Sequence, residues 1–128
     1  MRGGEPIILA DAAPPARHYS ADVKHGGLLY VSDQLGARAD GSHTHDQPFE
    51  VQVGAALDNV MRVLAAAGCG KEDLLKVTAD LVGVENWPSF NAVYAQVMEA
   101  ARPARAVVPV PELHYGYLIE IEAVVACP

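Results

Sequence analysis

Along this chain the apolar positions switch between a period of two and a period of about 3.6, and each switch marks a change of element. Val23–His25 and Leu28–Gln34 read as short strands separated by Gly26-Gly27, a dipeptide that accepts positive φ, so the stretch predicts a β-hairpin. Ahead of it, residues 1–17 are rich in Gly, Pro and Ala and predict an extended N-terminal segment, with Ile7–Leu9 as a first edge strand. The polar, breaker-rich GARADGSHTHDQP that follows the hairpin reads as a surface loop. From Phe49 the apolar residues Val53, Ala56, Leu57, Val60, Met61, Leu64 and Ala67 recur on one helical face, with Asp46 and Pro48 suited to its start and Gly68 and Gly70 to its end. Leu75, Val77, Ala79 and Leu81 then alternate with Lys76, Thr78 and Asp80, which predicts a half-buried strand over Leu74–Val84. A second helix begins near Asn86 with Pro88 in its first turn, carries the stripe Phe90, Val93, Tyr94, Val97, Met98 and Ala101, and is closed by Pro103. Two strand-like runs, Arg105–Val110 and Leu118–Val125, complete the chain, joined by the turn-rich loop Pro111–Tyr117.

The order β-β-β-α-β-α-β-β predicts an α+β class: a single sheet of about six strands with two helices packed on one face. The other face is half polar, and such a face suits packing against copies of itself around a symmetry axis, so a homo-oligomer is expected. Alternation sets Arg105, Val107 and Pro109 against Ala106, Val108 and Val110, and sets Leu118, Glu120, Glu122 and Val124 against Ile119, Ile121, Ala123 and Val125. If Pro111–Tyr117 is a hairpin connection, Arg105 lies opposite Glu122 and diagonal to Glu120. Spacing alone fits a cross-strand ion pair as well as it fits a site. In a site, the planar Arg fork would bind a substrate carboxylate, while a partly buried Glu with a raised pKa would position water or carry a proton.

Composition narrows the class. With 128 residues and 51% apolar content, the chain is expected to form a single domain over 1–128. Acids outnumber bases by 16 to 9, and the net charge of -7 argues against binding nucleic acid or anionic lipid. No stretch has the character of a signal peptide or a membrane span, so a cytoplasmic protein is expected. Cys69 and Cys127 form no CxxC and read as free thiols. His43-Thr-His45 lacks a third ligand at fixed spacing and reads as a loop pair, so no metal is expected. His18 and the rim residue His114 are candidates of lower rank, although an imidazole titrating near neutrality suits His114 to proton transfer. The Gly-rich stretches lack phosphate-loop spacing.

RPAR at 102–105, EIEAVVA at 120–126 and HYSADVKHGGLLYVSDQ at 18–34 resemble the Rid (reactive intermediate deaminase, YjgF) family. The likeness continues through Gln52, Ala56, Leu57, Asn59, Ala67-Gly68, residues 73–78 and Phe90-Asn91-x-x-Tyr94, in the family's order. It implies a chorismate-mutase-like homotrimer with clefts between subunits, and hydrolysis of small-molecule enamines or imines to keto compounds and ammonia without metal or cofactor. On that resemblance Arg105 is the carboxylate clamp, Glu120 positions the attacking water, Tyr19 and Ser32 line the pocket, and Asn91 lies near the cleft. The sequence departs from the family at Asp33, where Ser-Gly-Gln is usual, at Val107, and at Leu113-His114-Tyr115. These substrate-facing changes suggest a non-archetypal substrate. A specialised Rid-like hydrolase or tautomerase and a non-catalytic ligand-binding trimer are the alternative readings. RNA cleavage, sometimes attached to the family, fits poorly with the acidic balance.

Overall fold

In a computed structural model that describes residues 4–6 and 18–128, Gly26 and Gly27 take φ of 61° and 79° and turn the chain between β1 (Asp22–His25) and β2 (Leu28–Gln34). That left-handed conformation costs an L side chain about 1–2 kcal/mol, which is why the hairpin signal is specific. Glu5 bridges to Lys24 across the outer side of β1, while the strand expected at Ile7–Leu9 lies outside the described residues.

The remaining elements are α1 (Phe49–Ala66), β3 (Leu74–Val82), α2 (Trp87–Met98), β4 (Ala104–Val110) and β5 (Ile119–Ala126). The described strands form one mixed sheet in the order β1-β2-β5-β3-β4. Both helices contribute to a core on one face: Val53, Leu57, Val60 and Leu64 of α1 and Phe90 and Met98 of α2 close over Leu29, Val77, Leu81, Ile119 and Ile121. Each such apolar side chain withdrawn from water contributes roughly 1.5–3 kcal/mol. Tyr30, Leu75 and Val108 stay exposed on the sheet.

Three expectations are corrected. The loop 111–118 is not a hairpin connection, because β3 lies between β4 and β5 and pairs parallel with β4 through the α2 crossover. Pro109, which has no N–H for a ladder, fits this edge position. In that register Arg105 stands beside Val77 and Val107 beside Ala79, so Arg105 occupies the helix-covered side, whereas Glu120 and Glu122 pair with Asp80 and Thr78 on the open side. The core position expected for Leu75 belongs to Leu74, since a β-bulge between Leu74 and Lys76 turns Leu75 out to 47% exposure. Finally, α2 stops at Met98, where Glu99 takes φ 55°, well before Pro103.

Gln52 is fully buried inside the apolar face of α1. Its Nε2 donates to the carbonyls of His45 and Gln47 at 3.2 and 3.1 Å, and its Oε1 accepts from the Leu118 N–H at 2.9 Å. This single amide ties the loop before α1 to the entrance of β5. No described helix is long and apolar enough to cross a membrane.

Candidate active site

On the open side of the sheet, a cavity of about 920 Å³ opens between β2, β5, the loop 35–41 and the rim residue His114. It gathers Tyr19, Ser32, Asp33, His114 and Glu120 of the residues singled out from the sequence. The segment before β1 is drawn onto β2 by two bonds: the Ser32 N–H donates to the Ala21 carbonyl at 2.9 Å and the Ser32 hydroxyl to the Ser20 carbonyl at 2.6 Å. Tyr19 is thereby carried to the cavity mouth, where it is largely exposed.

Glu120 is half-buried beside three other carboxyls: Asp33 on β2, Asp80 on β3 and Glu122 on its own strand. Burial first, then the charge and hydrogen-bonding proximity of Asp33, then Asp80 and Glu122, push its carboxyl up to about 7. Glu122 is raised by its hydrogen bond with Asp33, with burial and the charges of Asp33 and Asp80 adding to it. Asp80 is raised by burial and by Asp33. A carboxyl poised near neutrality inside a cavity is suited to hold or give up a proton.

The cationic lining had been passed over in the sequence. Arg62 of α1 reaches the cavity beside Asn59, donating to its Oδ1 at 3.1 Å, and Arg38 contributes from the loop. Asn59 shapes that loop, its Nδ2 donating to the carbonyls of Leu35 and Ala37 at 3.0 and 2.6 Å. Arg62 offered a faint signal, a charge flanked by Met61 and Val63 on a mostly apolar helix.

Arg105, Val107 and Asn91 lie elsewhere. Arg105 stacks on α2, its guanidinium carbon 5.1 Å from the centre of the Tyr94 ring and 5.6 Å from that of Phe90. It stands two strand positions from β5, roughly 10 Å across the ladder, and on the opposite face from Glu120. Within one chain the guanidinium and the carboxyl therefore cannot hold the same small molecule.

His43 and His45 are exposed yet engaged. Tyr117, buried, accepts the Thr44 N–H at 3.1 Å and lies 2.7 Å from His43 Nδ1, and the His43 ring packs on Tyr115 at 4.9 Å between centres. The pair thus holds the rim, with the Tyr117 hydroxyl as its anchor. Among the described residues no group of three His, Cys, Asp or Glu is placed to hold a metal ion. Cys69 and Cys127 are free thiols, with burial foremost in raising Cys69 to about 11.

The profile of the Endoribonuclease L-PSP family matches residues 10–127. The chain belongs to this family, the YjgF/Rid family. This Rid-family chain is 32% identical over 120 residues to a RutC family protein of Pyrococcus horikoshii, covering 94% of the chain and 95% of the relative. It is 32% identical over 119 residues to a 2-iminobutanoate/2-iminopropanoate deaminase of Bos taurus, covering 91% and 87%. Among solved structures, a Rid-family protein of Yersinia pestis superposes with a TM-score of 0.89 at 30% identity, over 94% of this chain and 97% of that one. Escherichia coli TdcF with bound serine superposes at 0.87 and 25% identity, over 94% and 97%. The α+β fold read from the hydrophobic pattern is thus the fold of the Rid proteins.

Proposed function

We propose that this chain hydrolyses reactive enamines or imines to the keto compound and ammonia, without metal or cofactor, in clefts between the subunits of a homotrimer. The observation that carries the reading is Glu120, a carboxyl held near neutrality in a cavity beside Ser32 and Tyr19. Deaminase-named relatives at about 30% identity support the reaction class. The bound serine in TdcF supports a ligand of amino-acid size.

Placement of Arg105 supports the intersubunit cleft. A guanidinium that cannot reach Glu120 of its own chain can reach that of a second copy, if β4 of one subunit meets the open face of the next. There Arg105, with Asn91 and Val107 nearby, binds the substrate carboxylate while Glu120 works at the C=N carbon. The enamine tautomerises to the imine, water adds to the imine carbon, and the carbinolamine expels ammonia. Imines hydrolyse unaided, so orientation in a dry cleft supplies much of what is required.

The acidic floor of Asp33, Glu120 and Glu122 disfavours phosphate-rich RNA as substrate. Asp33 and His114, both at the cavity, favour as second reading a specialised hydrolase or tautomerase acting on a non-archetypal imine. The test is keto-acid or ammonia release from 2-imino acids formed in situ by an amino-acid oxidase. Acceleration by the wild type, a loss of about 100-fold in Glu120→Gln and a raised KM in Arg105→Ala are expected. No acceleration for any imine overturns the reading.

A further inference from the structure

Strict alternation along β2 would send Leu29, Val31 and Asp33 to the same side of the sheet. Leu29 and Val31 are buried in the core, and a carboxylate beside them would be severely penalised. Asp33 is instead exposed at the cavity, because the strand bulges: Val31 pairs with Ala123 and Gln34 with Ile121, so β2 spends one residue more than β5 over this step. The bulge turns Ser32 and Asp33 together onto the open side. There Asp33 comes within hydrogen-bonding reach of both Glu120 and Glu122.

Two carboxyls this close can bond only by sharing a proton, since two anions repel. Resting on the imine-hydrolysis reading above, we propose that Asp33 is a positioning residue that keeps a proton at Glu120 for delivery to the substrate nitrogen. The groups facing Glu120 are Asp33 of β2, Asp80 of β3 and Glu122 of β5, and the rest of the cavity lining adds Arg38 and Asp40 of the loop, Arg62, His114 and the phenols of Tyr19 and Tyr30. The carboxyls dominate, as the rise of Glu120 to about 7 indicates.

The step balances. The shared proton moves from Glu120 to the imine nitrogen, leaving a carboxylate and an iminium. Water then bonds to the carbon, the C=N π pair withdraws to nitrogen, and one water proton returns to the carboxylate. That proton finally goes to the amine nitrogen as the C–N bond breaks; ammonia leaves, the hydroxyl hands its own proton to the carboxylate as it becomes the carbonyl, and Glu120 is again protonated.

Asp33→Asn keeps the shape, removes the charge and offers Glu120 an N–H that favours its ionised form. Followed by carbon-13 NMR, the Glu120 carboxyl of the full-length variant should titrate at least about one pH unit below that of the wild type. In the pH profile of imine hydrolysis, the wild type should lose kcat as pH rises through about 7, and the variant should lose it earlier. At neutral pH the variant's kcat should fall by about fivefold or more, and Asp33→Glu should recover part of it. Unchanged Glu120 titration and an unchanged pH profile in Asp33→Asn overturn the proposal. A wild type that hydrolyses no imine, while the Glu120 carboxyl still titrates lower in Asp33→Asn than in the wild type, refutes the imine reading and supports the shared proton.

Discussion

Gln52 answers for three backbone groups at once, the carbonyls of His45 and Gln47 and the N–H of Leu118. Gln52→Leu fits the apolar surroundings but strands those groups, so a loss of about 3 kcal/mol is expected, read as a lower urea midpoint at unchanged slope. Glu120 acts in another way. Its raised carboxyl keeps a proton in the folded chain that the unfolded chain has released, so stability falls as pH rises from the ordinary glutamate value of 4.5 to about 7 and levels off above. Glu122 and Asp80, raised likewise, add in the same direction. Thermal unfolding of wild type and Glu120→Gln across pH 5–8 should show the decline shrinking in the variant. Glu120 was legible because a carboxylate stands out on an otherwise apolar strand, whereas Ser32 and Tyr19 entered the sequence reading through the family resemblance. Gln52 figured in the sequence reading only through the family resemblance, because inside an apolar helical stripe a single amide looks like an interruption.

Strands and helices followed their periods closely, and departures arose where the backbone breaks its own rule. The bulges at Leu75 and at Ser32-Asp33 each shift alternation by one residue, which no count of apolar positions reveals. The pairing of β4 was misassigned for a different reason. Short loops between strands favour a hairpin, yet the partner of β4 is supplied by the α2 crossover, and only Pro109 hinted at an edge. Arg105 changed faces as a result, and with it the basis for a site made in one chain. The β1–β2 turn offers the cleanest test at this scale. Gly27→Val must hold a β-branched residue at φ 79°, with a cost of about 1–2 kcal/mol and a Tm lower by several degrees in calorimetry.

Across the whole molecule, the open sheet face combines four carboxyls with exposed Tyr30 and Val108, and Arg105 waits on the far edge. Light scattering should therefore report a mass of about three times 13.6 kDa, and a monodisperse monomer would remove the intersubunit cleft. The sheet order carries a consequence for how the protein is made. β5, which follows every other described element in sequence, lies between β2 and β3 at the centre. A nascent chain that ends before Ile119 holds a hairpin on one side and a β-α-β unit on the other, with no strand between them and only α1 packing on both. The strand that zips these halves is also the strand that bears Glu120. The cavity is therefore completed only when β5 docks, and no chain that stops short of it can present the Glu120 carboxyl in a finished pocket.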